Sequence, residues 1–304
     1  MRIAPFEVPV ELSSNPRKRI RYSQEAYYQE AYYQLLDVFG EVPDDLTTVA
    51  FVVFKPDAAP ARCVERCLDA LADLGIFAIS AFPFSFTRHS IRELWRYELN
   101  ASTRARYPGI DSFLMSSESL LVVLKSQEKR KGTLCGFLQT IKGPTEIGAR
   151  RADHLRSIIG APPGTLNYIH MPDEPADFIR EIGVLFGELQ RKELFESVKT
   201  GQAMGPRITG AIQRFYRNVD RCSLHIEDVL ATIANQRSIE ANALNELRQF
   251  ARESLSFEEV ECRVRSMGVS LSFWELVTLF VSGRAFVVEG ARPVLEIEYE
   301  RTDD

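Results

Sequence analysis

Hydrophobic positions in the first two thirds of the chain switch repeatedly between a continuous pattern and a helical one. Residues 49–54 form a continuous apolar run rich in β-branched side chains, which predicts a buried strand. Apolar side chains then recur at helical spacing up to Leu74, and Gly75 predicts the end of that helix. The same reasoning predicts strands at 76–86, 119–124 and 166–170, and helices around 91–95 and over 176–189.

The order of these elements predicts an α+β fold for residues 46–200. Strands and helices that follow one another in this way are typical of a ferredoxin-like βαββαβ sandwich, in which helices cover an antiparallel sheet. A stretch rich in Gly, Pro and Arg lies between the third and fourth strands, at about 130–165. Because loops of this length in compact domains are usually functional or disordered, we expect this stretch to be one or the other.

Residues 1–45 form an extension with a tyrosine-rich helix. The tandem pentapeptide QEAYYQEAYY places Tyr28, Tyr32 and Leu35 on one helical stripe. Two interpretations are open: a helix that docks a partner or a second subunit, and a helix that packs on the protein's own core. The basic run before it is expected to be solvated, and consists of Arg17, Lys18, Arg19 and Arg21.

Residues 207–304 follow a linker that contains Gly and Pro, and form a second unit. Helical apolar stripes predict several helices, and the runs 285–288 and 294–299 predict a terminal β-hairpin. Helices followed by a hairpin resemble the outline of a winged helix. The segment has twelve arginines, sixteen acidic residues and no lysine, which is unusual for a DNA-binding surface. We therefore expect a mainly helical C-terminal domain that binds protein or associates with itself rather than with nucleic acid.

Composition restricts the class of protein further. The chain of 304 residues is 45% hydrophobic with a net charge of -5, which is ordinary for a globular protein and argues against a polyanion as its main partner. Five cysteines without a CxxC pair are typical of free thiols in a reducing compartment. No window is apolar for the roughly 18 residues that a membrane span requires. We expect a cytoplasmic protein that does not bind membranes.

Two strand ends carry the candidate chemistry. Lys55 follows the first strand in the sequence FKPD, and His170 closes the last strand in NYIHMPD, with Glu181 on the helix behind it. Each feature alone is weak, because lysines before Pro-Asp turns and histidines at strand ends are common in structural roles. Together, and separated by a loop rich in arginine and glycine, they predict a site for a phosphorylated ligand.

These motifs resemble those of the nucleoside diphosphate kinase family over about residues 46–190. FVVFKPDAAPARCVERCLDALADLGIFAISA is similar to the family's first strand, KPD loop, first helix and second strand. NYIHMPDEPADFIREIGVLF is similar to its NIIHGSD signature and the helix behind it. The resemblance implies transfer of the γ-phosphate of ATP through phosphohistidine to a nucleoside diphosphate or a related nucleotide. It also implies Mg²⁺ as the cofactor and a homo-oligomer, whose contacts the two extensions would block or rebuild.

The resemblance implies a role for each of ten residues. His170 would be the nucleophile, with Glu181 orienting its ring and Asp173 helping to hold the magnesium-bound phosphates through water. Lys55 would contact both the phosphates and the sugar. The remaining nucleotide-binding positions are Trp95 near the phosphates, Tyr107 at the base, Gln139, Thr145 and Arg156 at the phosphates, and Asn167 at the sugar.

Two departures from the family's pattern bear on activity. Gln139 stands where the family has an arginine beside the phosphates, and Arg150 or Arg151 would have to replace that charge. Pro172 stands where a serine hydroxyl would hydrogen-bond to the Glu181 carboxylate. The sequence thus leaves two functions open: a phosphotransferase, and a catalytically weak nucleotide sensor with the C-terminal domain as its output. Retention of the nucleophile favours catalysis.

Overall fold

The structure is a computed structural model of the chain. It has a four-stranded antiparallel sheet surrounded by helices, which confirms the predicted mixed α/β character. No helix in the described part of the chain is both long and apolar enough to cross a membrane. The structure describes residues 6–104, 106–203, 205–237, 241–250, 253, 255–282, 288, 290–292 and 294–295.

The sheet has the strand order β2-β3-β1-β4. Its first strand is buried along its whole length, as its apolar run predicts, because it pairs with a neighbour on each side. The short last strand pairs antiparallel with it, so that Val53 lies opposite His170. The strands are β1 (Val49–Phe54), β2 (Ile76–Phe84), β3 (Ser119–Ser126) and β4 (Ile169–His170).

Four helices fill the connections between the first three strands: α3 (Ala58–Ala61), α4 (Val64–Ala72), α5 (Arg88–Leu94) and α6 (Arg106–Leu114). The predicted helix before Gly75 is α4, which buries its apolar stripe against β2. Gly75 itself has a φ of 72°, a left-handed conformation that favours glycine and turns the chain into β2. The predicted second helix is α5, and α6 packs beside it.

The stretch at 130–165 is not one long loop. It contains α7 (Leu134–Lys142) and the short α8 (Leu155–Ile158). Leu134 and Leu138 lie one helical turn apart on the buried face of α7, which packs against β1. This apolar spacing is the signal that the Gly- and Pro-rich composition of the flanking residues masked.

The predicted helix at 176–189 is interrupted. α9 (Pro175–Leu185) ends before Phe186, which has extended backbone, and α10 (Glu188–Thr200) begins two residues later. α9 is buried along most of its length, since it contacts β1, α5 and the N-terminal segment. This is the helix that carries Glu181.

The N-terminal segment contributes α1 (Pro16–Tyr22) and α2 (Ala26–Phe39). α2 packs against α9 and α10, and it approaches α9 so closely that a Cβ on Gly183 would lie 2.2 Å from the Tyr27 carbonyl oxygen. Tyr28 and Leu35 are fully buried, so the tyrosine-rich helix packs on the protein's own core. The expectation that the basic run is solvated is wrong for Lys18, which is buried against two carboxylates.

The C-terminal segment is helical, as its stripes predict. Its first helix packs against β2 and β3, and buries Ile208, Ile212 and Phe215. The predicted terminal hairpin falls almost entirely outside the described residues and stays a prediction. The helices are α11 (Gly205–Tyr216), α12 (Ile226–Arg237), α13 (Ala241–Phe250), α14 (Phe257–Ser266) and α15 (Phe273–Val281).

Candidate functional site

A cavity of about 740 Å³ lies where the end of β1, strand β4 and helices α6 and α9 meet. Nine of the ten predicted site residues line it: Lys55, Trp95, Gln139, Thr145, Arg156, Asn167, His170, Asp173 and Glu181. The tenth, Tyr107, is not among the lining residues that the structure describes. Its hydroxyl donates to the Leu99 carbonyl oxygen at 2.9 Å, and the Arg92 guanidinium lies 4.9 Å from its ring.

Strand register brings the predicted lysine and histidine to one place. Val53 lies opposite His170, and Lys55 is two residues further along the same chain, so the two side chains belong to the same face of the sheet. The Lys55 amide donates to the Tyr168 carbonyl oxygen at 2.9 Å, which continues the pairing past the end of β1. Two segments that are far apart in sequence therefore meet through backbone hydrogen bonds.

Asp57, the third residue of the KPD sequence, holds the turn that leads into β4. Tyr168 has a φ of 65°, which is rare for a bulky residue. Its backbone amide donates to the Asp57 carboxylate at 3.1 Å, and both residues are buried. Burial raises the pKa of Asp57, and the positive charge of Lys55 opposes that rise. Asp57 is a positioning residue that the sequence analysis did not single out.

The His170 ring is fixed through one of its two nitrogens. Its Nε2 lies 2.7 Å from the Glu181 carboxylate, which α9 presents from behind. The Trp95 ring packs against it edge-on at a centroid distance of 5.6 Å. Nδ1 has no hydrogen bond within the residues that the structure describes. A carboxylate accepts hydrogen bonds, so the Glu181 carboxylate favours the tautomer in which Nε2 carries the proton and Nδ1 keeps a free lone pair.

This chain is similar in structure to nucleoside diphosphate kinases. That of Aquifex aeolicus is 23% identical, over 47% of this chain and 96% of its own, with a TM-score of 0.37. The NDP kinase of Pyrobaculum aerophilum is 16% identical, and the match covers 47% of this chain and 97% of that enzyme, with a TM-score of 0.38. The nucleoside diphosphate kinase of Encephalitozoon cuniculi is 18% identical, and the match covers 46% of this chain and 89% of that enzyme, with a TM-score of 0.38. No family model and no curated protein matches the chain.

Six lysine and arginine side chains of the described residues line the cavity. Lys55 donates from Nζ to the Thr165 carbonyl oxygen at 3.1 Å and lies 3.6 Å from Asp57. Burial lowers the pKa of Lys55, the charge of Asp57 opposes that shift, and the neighbouring Arg156 and Arg106 add to it. Such crowding of buried cations is unfavourable unless an anion offsets it. Four of these cations were not among the predicted site residues, namely Lys18, Arg106, Lys142 and Arg180.

Arg156 occupies the buried floor of the cavity. Its guanidinium donates to the Gly143 carbonyl oxygen at 2.6 Å and to the Ile169 carbonyl oxygen at 3.4 Å. Its Nε is buried with no hydrogen-bond partner among the described residues. Burial and the charge of Arg150 lower the pKa of Arg156 to about 10, so it stays protonated at neutral pH.

Gln139 carries no positive charge, and the two loop arginines that could replace that charge, Arg150 and Arg151, are engaged elsewhere. Gln139 lines the cavity, but its amide nitrogen donates to the Met171 and Pro172 carbonyl oxygens at 3.1 and 3.2 Å. Arg150 donates to four carbonyl oxygens of residues 144–162, and Arg151 pairs with Asp153. Both arginines hold the loop in shape, so the predicted replacement by either one lacks support in the geometry.

The acidic side of the cavity centres on Asp173. Burial raises the pKa of Asp173 to about 6, and the charge of Lys142, whose Nζ lies 3.9 Å from the carboxylate, acts in the opposite direction. At neutral pH the group is therefore mostly ionised. The described residues contain no cluster of three or more His, Cys, Asp or Glu side chains that would hold a metal ion on its own.

Two further predicted residues have defined positions on the loop that borders the cavity. The Asn167 amide nitrogen donates to the Gly164 carbonyl oxygen at 3.1 Å. The Thr145 carbonyl oxygen accepts from the Gly164 amide at 3.1 Å, and its side chain is exposed at the rim. These contacts tie the loop after α7 to the segment that leads into β4, so the two predicted positions lie on one continuous wall.

Proposed function

We propose that the protein is a phosphotransferase that carries the γ-phosphoryl group of ATP on His170 and passes it to a nucleoside diphosphate or a related nucleotide. The observation that carries the proposal is the His170–Glu181 pair inside a cavity lined by cations. A histidine held at Nε2 by a carboxylate, with Nδ1 free, has the geometry that a nitrogen nucleophile requires. Lys55 and Arg156 supply the fixed positive charge that phosphoryl transfer needs.

The reaction balances as two displacements at phosphorus. In the first, the Nδ1 lone pair forms a bond to the γ-phosphorus while the bond from that phosphorus to the β,γ-bridging oxygen breaks, which releases the nucleoside diphosphate. The ring becomes cationic, and the Glu181 carboxylate stabilises it through the Nε2 proton. In the second, a terminal phosphate oxygen of the acceptor attacks the same phosphorus and the P–N bond breaks, which restores neutral His170.

Mg²⁺ belongs to the substrate in this proposal, since nucleoside triphosphates bind it through their phosphate oxygens. Bound Mg²⁺ offsets the charge that develops on the phosphates. Asp173 is the carboxylate that would face the ion through water, and its ionised form at neutral pH suits that role. The finer fold prediction, a ferredoxin-like sandwich, belongs to the same proposal, and the antiparallel order β2-β3-β1-β4 supports it.

A second candidate is a nucleotide sensor with little or no turnover. One observation favours it: the C-terminal residues Val281 and Leu295 line the same cavity, so a bound ligand would contact the segment that could act as the output. The amide at Gln139 in place of a cation points the same way. Protein binding by the C-terminal segment stays a prediction under both candidates.

The test is a panel of nucleoside diphosphate acceptors with ATP as donor, assayed for wild type, His170→Ala and His89→Ala. His89 is exposed, so its replacement controls for the loss of an imidazole elsewhere. We expect ping-pong kinetics for at least one acceptor and a loss of about 1,000-fold or more in His170→Ala only. If wild type binds ATP but transfers phosphate to no acceptor, the sensor takes the place of the enzyme.

A further inference from the structure

The guanidinium group of Arg106 stands out among the cationic groups of the cavity. It lies at the first residue of α6, lines the cavity, and donates from Nη1 to the Ser102 hydroxyl at 3.0 Å. Its Nε is buried and has no hydrogen-bond partner within the described ranges. Buried donors are almost always satisfied in folded proteins, so a donor left over in a cavity wall indicates a missing acceptor.

Comparison with a second arginine of the same cavity shows that such a gap is not a general property of the site. Arg180 is also buried and also lines the cavity. Its guanidinium donates to the Glu25 carboxylate at 2.6 Å and to the carbonyl oxygens of Glu93 and Leu94 at 2.7 and 3.3 Å. Each of the three guanidinium nitrogens of Arg180 thus donates to the protein, whereas Arg106 and Arg156 each keep a buried Nε without an acceptor among the described residues.

The surroundings of Arg106 favour an anionic ligand rather than a neutral one. Its charge acts on Lys55, which lies on the same cavity, and the Lys55 ammonium sits 5.6 Å from the ring of Phe113 on the same helix α6. Asp57 lies 3.6 Å from the Lys55 ammonium, and the charge of Glu98 acts on Arg106. The three cations Arg106, Lys55 and Arg156 line the cavity against these two carboxylates, which leaves an excess of positive charge among these five groups. Phosphate oxygens offer both the negative charge and the several acceptors that this arrangement lacks.

The C-terminal segment braces the helix that carries Arg106. A Cβ on Gly109 would lie 2.1 Å from Cε1 of the Phe280 ring, so α15 lies directly on the first turn of α6. Phe280 is itself fully buried. The contact between α15 and α6 therefore lies on the helical turn that begins with Arg106.

We propose that Arg106 is a phosphate-binding residue of this cavity, that it supplies the charge that Gln139 lacks, and that α15 holds it in position. The inference rests on the proposed nucleotide function and deepens it. It also assigns the C-terminal segment a role in shaping the nucleotide site.

The test measures binding rather than turnover, with inorganic tripolyphosphate and a non-hydrolysable ATP analogue as probes in titration calorimetry. Arg106→Gln should weaken both by about 10- to 100-fold, because it removes a buried charge-assisted contact. Arg106→Lys should weaken binding of both probes less than Arg106→Gln does, since lysine keeps the positive charge. Arg104→Gln is the matched control, because Arg104 lies two residues away with an exposed side chain, and it should bind like wild type. Equal affinities for wild type, Arg106→Gln and Arg106→Lys would overturn the inference.

A second variant tests the brace. Gly109→Ala forces the Phe280 ring away from α6 and should weaken tripolyphosphate binding in the same direction as Arg106→Gln, whereas Gly148→Ala, at an open position, should not. Unchanged binding in Gly109→Ala would remove α15 from the proposal. These binding measurements involve no phosphotransfer. Failure of phosphotransfer with an intact Arg106 effect would therefore overturn only the proposed catalysis, and the reverse outcome only the role of Arg106.

Discussion

The two segments that flank the sheet domain reach the same cavity by opposite physical means. The N-terminal segment does so through buried charges. Lys18 lies 2.7 Å from Asp177 and 3.0 Å from Glu174, and the Tyr22 hydroxyl donates to Asp177 at 2.5 Å. Burial acts to lower the pKa of Lys18, but these two carboxylates outweigh it, so its pKa is raised and the lysine stays charged.

The C-terminal segment reaches the cavity through apolar and backbone contacts. Val281 and Leu295 line the cavity, and the amides of Val288 and Val294 donate at 2.8 Å to the carbonyl oxygens of Ala101 and Tyr97. Three ion pairs between described residues of this segment lie at the surface, for example the pair between Arg248 and Glu227. Backbone bonds and apolar contacts tolerate small displacements better than buried charges do, since a buried charge that loses its partner is strongly unfavourable.

The difference indicates a division of roles. The N-terminal segment is attached to α9, the helix that carries Glu181, and should be a fixed part of the site. Within the C-terminal segment, α11 packs on β2 and β3, whereas α15 and the described residues after it contact α6 and the residues before α6. We expect a bound ligand to shift α15 and those last residues rather than α11. Four predictions test this contrast.

The largest effect is expected at Glu25, the partner of Arg180 in the N-terminal segment. Its carboxylate accepts from the Arg180 guanidinium at 2.6 Å and from the Tyr97 hydroxyl. Glu25→Ala should lower the free energy of unfolding by about 3–5 kcal/mol, because it leaves the buried Arg180 charge without its carboxylate. Glu25→Gln, which keeps the shape and an acceptor, should lose clearly less in the same urea titration. Equal small losses for both variants would contradict the idea of a fixed N-terminal attachment.

A smaller loss of folding stability is expected when Arg62, at the contact between α3 and the C-terminal segment, is replaced. Arg62 donates to the Tyr216 carbonyl oxygen at 3.0 Å and to the Val219 carbonyl oxygen, and its guanidinium lies 4.5 Å from the Tyr216 ring. Arg62→Ala should reduce stability by about 2 kcal/mol and speed hydrogen exchange in residues 216–219. The exposed Arg66, on the neighbouring helix, is the control, and Arg66→Ala should leave that exchange unchanged. If exchange slows or is unaltered in Arg62→Ala, the contact does not anchor the segment.

The third prediction concerns the ionisation of Asp173, on whose carboxylate the charge of Lys18 acts. The pKa of Asp173 is raised to about 6, mainly by burial, with Lys142 and Lys18 opposing the rise. Its carboxylate is therefore ionised above about pH 6 and becomes neutral as the pH falls through that value. Wild type should bind Mg-ATP several-fold more tightly than Asp173→Asn at pH 8, and the ratio of the two affinities should approach one at pH 5. A ratio that does not change with pH would exclude Asp173 from the magnesium side of the site.

The smallest effect is expected at the exposed ion pair of the C-terminal segment. Glu227→Ala removes the partner of Arg248, and both side chains are largely solvated. Exposed pairs contribute about 0.2–1 kcal/mol, so the free energy of unfolding should change by no more than that. A loss as large as that of Glu25→Ala would erase the contrast between the two segments.

The sheet and the strand-end residues were accessible from the sequence because their signals are local. The apolar run of β1 and the helical stripe that ends at Gly75 each correspond to one element of the structure. Lys55 and His170 lie at the ends of strands that the sequence predicts. The correct pairing of those two strands was then enough to place the two side chains near each other.

The missed residues are those whose role depends on partners far away in the chain. In the sequence, Lys18 is one of several basic residues that are expected to be solvated. It is buried because it pairs with two carboxylates at the start of α9, about 160 positions later. Arg106 lies in a stretch without a strong pattern, and its unsatisfied Nε is visible only when the cavity is formed. For Arg150, one of two arginines that could replace the charge at Gln139, the sequence shows the charge but not the four carbonyl oxygens to which the guanidinium donates.

The central claim is that His170 carries a phosphoryl group, and the mass of the intact protein tests it most directly. Wild type mixed with ATP and Mg²⁺ and kept at alkaline pH should gain the mass of one phosphoryl group. Brief acid treatment should remove that mass, because a phosphohistidine is labile in acid and stable in alkali. Addition of an accepted nucleoside diphosphate should remove it as well, and His170→Ala should never acquire it. Wild type that binds ATP yet shows no added mass, or an added mass that survives acid, would contradict the claim.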